Sequence, residues 1–102
     1  MPDMPAPRAL FPLGQIVGTP GALDLLASQG VDPSTLITRH LLGDWGDLDS
    51  EDQQANIDAV VSGARLMSAY IIGPAVRVWV ITEAEDDEGQ REATTILLPE
   101  DY

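Results

Sequence analysis

The chain has 102 residues, which suits one domain with a single hydrophobic core, and 44% of them are hydrophobic, as in globular proteins. It contains no cysteine, which excludes disulfides, thiolate metal sites and thiol nucleophiles. Seventeen acidic residues against five basic ones give a net charge of -12, so the surface repels phosphate backbones and direct nucleic-acid binding is excluded.

The chain begins with a segment rich in proline. Residues 1–12 carry four prolines and lack the uninterrupted apolar run of a secretory signal, so we expect a mobile proline-rich N-terminus followed by one α+β domain over residues 13–102. The run 13–17 is apolar enough for a brief strand. No stretch approaches the roughly eighteen apolar residues of a membrane span. The sequence therefore predicts a cytoplasmic protein without membrane contact.

Two helices follow, each with the same start signal. In the pairs Thr19-Pro20 and Asp32-Pro33, a residue that can cap a helix precedes a proline whose fixed φ suits the first helical position. A glycine closes each segment. The predicted helices cover residues 20–29 and 33–42.

A third helix is predicted from Ser50, which has the capping-box spacing to Gln53, to Gly63. Apolar residues recur in it at helical spacing and predict a stripe that packs on the core. The members of this stripe are Ile57, Val60, Val61 and Ala64.

The last third changes to the period of strands. Strands are predicted over 65–72, 76–82 and 94–98, with a turn at Gly73-Pro74 and an acidic hairpin loop between the second and third. In the middle strand we expect Trp79 to be buried. The predicted fold class is α+β, with three N-terminal helices followed by a three-stranded antiparallel β-meander.

Two groups of acidic residues are the candidate partner-binding surface. The position of each group also has an explanation that needs no partner. One group lies at a helix N-terminus, where the helix dipole favours negative charge, and the other lies in a solvated loop. The first acidic cluster consists of Asp44, Asp47, Asp49, Glu51 and Asp52, and the second acidic cluster of Glu83, Glu85, Asp86, Asp87 and Glu88.

Neither cluster has the pattern of a metal site or a catalytic pair. A calcium loop counted from Asp47 has Asp52 where the sixth position requires glycine, so we expect no metal and no cofactor. His40 is the only histidine and no nucleophile elbow accompanies it, so a packed or capping role is favoured. The sequence predicts a protein that is not an enzyme.

Trp45 lies within the first acidic cluster, flanked by Asp44 and a glycine. Two interpretations stay open. An exposed tryptophan there is a hot-spot anchor for a partner, whereas a buried one closes the end of a small core, which is the favoured interpretation. We include Trp45 among the candidate partner-binding residues.

Four segments resemble a family of small proteins of plasmids and other mobile elements. They are FPLGQIVGTPGAL at 11–23, RHLLGDWGDLD at 39–49, and VWVITEA with TTILLPEDY at 78–84 and 94–102. Members of this family are often labelled as modification subunits of type I restriction enzymes. That label does not fit, because the chain has neither a cofactor-binding α/β domain nor the N/D-P-P-Y/F motif of an amino-methyltransferase. The resemblance supplies no catalytic residues.

Charge and resemblance together favour an acidic interaction protein of a mobile element. Such a protein would occupy a basic surface on its protein partner, for instance as an inhibitor of a nucleic-acid-targeting defence system (anti-CRISPR or anti-restriction) that acts as a DNA mimic. The alternative is a plasmid regulatory or antitoxin-like protein that binds its partner through an apolar patch.

Overall fold

The computed structural model describes residues 8–102, which form a four-stranded sheet and three α-helices. In chain order the elements are β1 (Gln15–Gly18), α1 (Pro20–Ser28), α2 (Pro33–Leu41), α3 (Ser50–Ser62), β2 (Leu66–Gly73), β3 (Val76–Thr82), β4 (Ala93–Leu97) and a 3-10 turn at Pro99–Asp101. None of the helices in this part of the chain is long and apolar enough to cross a membrane.

The first two helices begin where the sequence predicts. The backbone N–H of Ala22 donates to Thr19 Oγ1 at 3.2 Å, and that of Ser34 donates to Asp32 Oδ1 at 2.9 Å. In both helices a proline occupies the first turn, where its missing N–H leaves no bond unmade. The prediction that the two capping pairs start helices is confirmed.

The third helix begins with a different cap from the one predicted. Asp49, not Ser50, is the N-cap, and its Oδ1 accepts from the backbone N–H of Asp52 at 2.8 Å. Asp49 satisfies one of the orphan donors of the first turn, as the serine was expected to do one residue later, and it adds a full negative charge at the positive end of the helix. The helix ends at Gly63 as predicted, in the left-handed conformation with φ 85°.

The predicted chain topology is wrong. The strand order is β1-β4-β3-β2, and β1 precedes the helices and pairs in parallel with β4. The sheet is therefore mixed, because only β2, β3 and β4 form antiparallel neighbours. The α+β class holds, but three helices followed by a purely antiparallel meander does not describe the chain.

Two helices cover one face of the sheet. Ala22 and Leu26 of α1 meet Leu36 of α2 above Val78 and Val80 of β3, and all five are at most 3% exposed. Removal of this apolar surface from water is the main force that holds the helices on the sheet. The opposite face of the sheet carries no α-helix among the described residues.

A second apolar group closes the end of the core next to α3. Its buried members are Phe11, Trp45, Ala59 and Leu66. Residues 1–7, which make up most of the expected mobile segment, lie outside the described part of the chain. Phe11, at 5% exposed, is already part of the core, so the packed domain begins before residue 13.

The apolar stripe predicted for α3 faces the wrong way. Val61 is 89% exposed and Ile57 is 52% exposed, whereas Asn56 and Ala59 are buried. The reason is that α3 packs against the edge of the sheet at β2 and not on its broad face. Small and polar side chains fit that close approach, so Ile57 and Val61 point to solvent, whereas Val60 is partly buried against the second apolar group.

Candidate partner-binding site

The loop that carries the first acidic cluster is attached to the edge of the sheet. The backbone N–H of Ala69 donates to Trp45 O at 3.1 Å, and that of Asp47 donates to Ala69 O at 2.6 Å. Gly46 lies between them at φ 74°, where a Cβ would overlap the Ala69 carbonyl oxygen. The loop thus extends the sheet beyond β2 in the manner of a short added strand.

The side chain of Trp45 fixes this loop from below. It is 5% exposed, its ring stacks with Phe11 at a centroid distance of 6.3 Å, and it meets His40 edge-on at 5.7 Å. The favoured interpretation of Trp45 as a core residue agrees with this burial. Trp45 positions the neighbouring carboxylates and offers no exposed surface to a partner.

Two carboxylates of the first cluster hold arginines of this chain. Arg39 Nε lies 2.7 Å from Asp44 Oδ2, and this hydrogen bond keeps the pKa of Asp44 below its usual value. Arg77 Nη2 lies 2.7 Å from Asp47 Oδ2. All four side chains are about half exposed, so each pair contributes little to stability but does fix where its charges lie.

The other three members lie at the start of α3. Asp49 is its N-cap, and Glu51 and Asp52 occupy the first turn, where the helix dipole favours negative charge. All three are exposed, and none forms an ion pair within residues 8–102. These residues carry the free negative charge of the cluster.

An open hollow of about 470 Å³ lies between this loop and the uncovered face of the sheet. Trp79 is only half-buried and forms one of its walls, so the prediction of a fully buried Trp79 is wrong, although β3 is a central strand. Helices on a single face leave the opposite side of β3 partly open. The hollow is lined by Asp47, Leu48, Asp49, Asp52, Met67, Ala69, Arg77 and Trp79.

Sequence reasoning missed Met67, Arg77 and Trp79 as site residues. A signal was present, since alternation in β3 sets Arg77 and Trp79 on the face opposite the valines. Only the topology shows that the helices cover the valine face and leave the other one open.

The loop of the second acidic cluster is also ordered. Asp86 Oδ1 accepts from the backbone N–H groups of Glu88 and Gln90, each at 2.9 Å, and Glu85 pairs with Arg91 in a β-bridge. Glu85, Asp86, Asp87 and Glu88 are all exposed.

Arg91 anchors this loop to the end of α3. Its guanidinium is buried and donates to the carbonyl oxygens of Ala59 at 2.9 Å, Ala64 at 2.7 Å and Glu83 at 3.0 Å. A cation at a helix C-terminus is stabilised by the helix dipole. The acidic loop is therefore held in place by Arg91, which is the only buried arginine among the described residues.

The structure does not bring the two clusters together. The first lies at the N-terminus of α3 and the second beside its C-terminus, where the backbone N–H of Glu85 donates to Gly63 O at 2.8 Å. A helix of 13 residues separates them by about 20 Å. They lie at opposite ends of α3.

His40 is enclosed and cannot reach a substrate. It is 0% exposed; its Nδ1 lies 2.6 Å from Ser68 Oγ and its Nε2 lies 2.9 Å from Thr82 Oγ1. Burial lowers the pKa of His40 to about 4, so the ring is neutral at physiological pH. Although a serine bonds the histidine, this is a structural polar network and not a nucleophile with its base.

The chemistry of the remaining surface is plain. In residues 8–102 no group of three or more histidine or acidic side chains is arranged to hold a metal ion. Another hollow, of about 540 Å³ beside the start of α1, contains Arg77 and Glu100 among mostly apolar and glycine residues.

No family model, curated protein or solved structure matches this chain. The resemblance to proteins of mobile elements rests on its motifs alone.

Proposed function

We propose that this chain is a non-enzymatic acidic interaction protein of a mobile element that binds a basic surface of a protein partner in the cytoplasm. Its role would be the inhibition of a nucleic-acid-targeting defence system, by occupying the groove that otherwise receives DNA or RNA. The observation that carries the proposal is the attachment of the loop at residues 44–49 to β2, which places its three carboxylates beside the two in the first turn of α3.

Fixed positions matter because they separate a mimic of phosphates from a protein that is merely acidic. Charges on a mobile tail average out, whereas charges on a rigid surface can match a set of cations in a groove. The buried Trp45 and the N-cap Asp49 hold the first cluster, and the buried Arg91 holds the second. Both ends of the surface therefore have the rigidity that mimicry requires.

The proposal is tested with the partner captured from lysate and identified by mass spectrometry. Binding of the purified partner is measured between about 50 mM and about 500 mM salt, with and without a DNA duplex as competitor. We expect affinity to fall steeply with salt and DNA to displace the chain. A salt-insensitive complex that DNA does not disturb would reject the proposal.

Charge reversal identifies which end of the surface acts. Replacing Asp87 and Glu88 with Lys leaves the fold intact, since exposed loop charges contribute little to stability and Asp86, which orders the loop, is kept. We expect this double variant to lose binding at physiological salt. The matched control reverses Asp24 on α1 and Glu100, which are exposed and belong to neither cluster.

One observation favours the alternative of a regulatory or antitoxin-like protein that docks through an apolar patch. Ile57 and Val61 are exposed side by side on α3, at 52% and 89%. If they are the docking surface, Ile57→Gln with Val61→Gln abolishes binding while the complex resists salt. The acidic-surface proposal expects the opposite on both counts.

A further inference from the structure

The side of the sheet that carries no α-helix, which we call the open face, is formed by alternate residues of the three antiparallel strands. Ala69, Trp79 and Leu97 are cross-strand partners on it, and Met67 and Ile81 form the neighbouring row. Ala69, Ile81 and Leu97 on this face are buried, at 1–6% exposed, so the side chains accessible beside the hollow are those of Met67, Arg77 and Trp79. Among the described residues its aromatic cover is Tyr102, whose ring meets Trp79 at a centroid distance of 5.7 Å. The hollow of about 470 Å³ described above lies beside Trp79, next to the first acidic cluster.

This hollow combines two features that attract a cation. Its walls are apolar or aromatic, from Met67, Ala69 and Trp79, and its rim carries the carboxylates of Asp49 and Asp52. A cation on an indole face is attracted by the ring quadrupole, and a carboxylate beside it adds a charged hydrogen bond. A hollow of this composition is complementary to a positively charged side chain and repels an acidic one.

The chain already places one guanidinium there. Arg77 lines the hollow and bonds Asp47 at 2.7 Å. Asp49 and Asp52 have no such cation within residues 8–102. The rim thus shows the chemistry it accepts and retains two carboxylates for a second cation.

We propose that the hollow receives one arginine side chain of the basic partner, with its guanidinium against the ring of Trp79 and its N–H groups donating to Asp49 and Asp52. This inference rests on the proposed function and names the anchor residue of that interface. Arginine suits the site better than lysine because its guanidinium is flat, stacks on an aromatic face and offers several donors at once.

The probe is a fluorescein-labelled hexapeptide of arginine, with a citrulline hexapeptide of the same shape and no charge as the ligand control. Polarisation at about 50 mM salt gives its affinity for the chain and its variants. Asp49→Asn with Asp52→Asn removes the rim charges, and asparagine retains helix capping at position 49. The matched control, called the loop variant, is Glu92→Gln with Glu100→Gln, which removes the same charge from two exposed positions outside both acidic clusters.

We expect the rim variant to lose about fivefold or more in affinity and the loop variant less than twofold, since only the rim touches the guanidinium. Trp79→Leu weakens binding about as much as the rim variant, whereas Trp79→Phe, which keeps an aromatic face, weakens it less. Arg77→Gln, which frees Asp47, strengthens binding more than Arg39→Gln, a change of equal charge outside the hollow. Circular dichroism confirms that each variant is folded.

Equal losses of affinity in the rim and loop variants would overturn the proposal that the hollow binds an arginine side chain. Such a result would indicate attraction by net charge alone and would leave the proposed function standing. Full affinity in Trp79→Leu would also overturn it. If wild type does not bind the arginine peptide, the hollow is rejected. The salt dependence of the natural complex then decides the proposed function separately.

Discussion

A chain of hydrogen bonds runs through the core from Ser68 to the backbone of Leu13. Thr94 Oγ1 donates to Leu13 O at 2.7 Å, and Thr82 Oγ1 lies 2.7 Å from Thr94 Oγ1, so Thr82 donates to Thr94. His40 Nε2 must then donate to Thr82, and Nδ1 accepts from Ser68. The neutral imidazole with its proton on Nε2 satisfies every member, and a second proton on Nδ1 would break this order.

This arrangement predicts that acid destabilises the protein through His40. Burial lowers the pKa of His40 from 6.5 to about 4. Between these two pH values the histidine is therefore protonated in the unfolded chain but neutral in the folded chain. Stability is complete above about pH 6.5 and falls as pH drops towards about 4, with a loss of about 2 kcal/mol by pH 5. Urea unfolding at about pH 7.5 and about pH 5 measures the difference.

His40→Gln is the control, because glutamine keeps polar groups near both hydroxyls and does not titrate. His40 is the only histidine, so the variant should lose most of its pH dependence in this window. Equal slopes in the two proteins would contradict the prediction.

The two tryptophans differ in what surrounds them. Trp45 is enclosed by Phe11 and His40, so Trp45→Ala leaves a cavity and should cost about 3–5 kcal/mol. Trp79 is half-buried, so Trp79→Ala should cost less than the full cavity value. Urea unfolding of both variants at neutral pH ranks them, and a larger loss for Trp79 would show that the open face carries more of the stability.

At the scale of elements, α3 completes the sheet with a side chain. Asn56 Nδ2 donates to Met67 O at 2.7 Å, and its Oδ1 accepts from the backbone N–H of Met67 at 3.0 Å. An amide thus replaces the neighbouring strand for one residue of β2, as the loop at 45–47 does for Ala69. The first half of the β2 edge, at residues 67 and 69, is closed in this way to pairing with other chains.

Replacing Asn56 with Asp tests this role, because it changes only the donating Nδ2 group of the side chain to an oxygen. Aspartate still accepts from Met67 N–H but faces Met67 O without a donor, so we expect a loss of about 1–3 kcal/mol. Gln54→Glu, on the exposed side of the same helix, makes the same change of charge. It loses only an exposed hydrogen bond to Asp58 and brings two carboxylates together, so we expect a smaller loss of about 0.5 kcal/mol. Equal stabilities for the two variants would show that the amide does not support β2.

Short-range signals in the sequence predicted the helices and strands. They did not predict the chain topology, because it depends on pairing between strands that are far apart in the sequence. The caps at Thr19 and Asp32 act on residues two or three positions away, so their outcome is readable from a few letters. The β1–β4 pair joins Gln15 to Ala93, and nothing near either residue indicates the other. The acidic residues of the site were found from charge alone, but the tryptophan beside them needed the fold.

For the whole molecule, the net charge of -12 destabilises the folded state by self-repulsion but favours binding to a basic partner. Self-repulsion of the folded chain is screened by salt, so moderate NaCl should stabilise it, whereas attraction to a basic partner weakens. A gain of about 1 kcal/mol would raise the melting temperature by about 4–8 °C.

Melting curves at about 20 mM and about 300 mM NaCl measure this gain. The variant with Asp86→Asn, Asp87→Asn and Glu88→Gln, which lacks three of the charges, should gain less from salt. A melting temperature that falls with NaCl in wild type would refute the account.

The parallel pairing of β1 with β4 also sets when the protein can fold during its synthesis. β4 lies between β1 and β3, and its residues 93–97 leave the ribosome after those of every helix and of the three other strands. Until then β1 has no neighbour, and α1 lacks the strand on which it packs. Contacts so far apart in the chain close slowly, and the apolar β3 stays exposed in the meantime. We therefore expect folding to be a single late event rather than stepwise growth from the N-terminus, and the nascent chain to depend on chaperones for that interval.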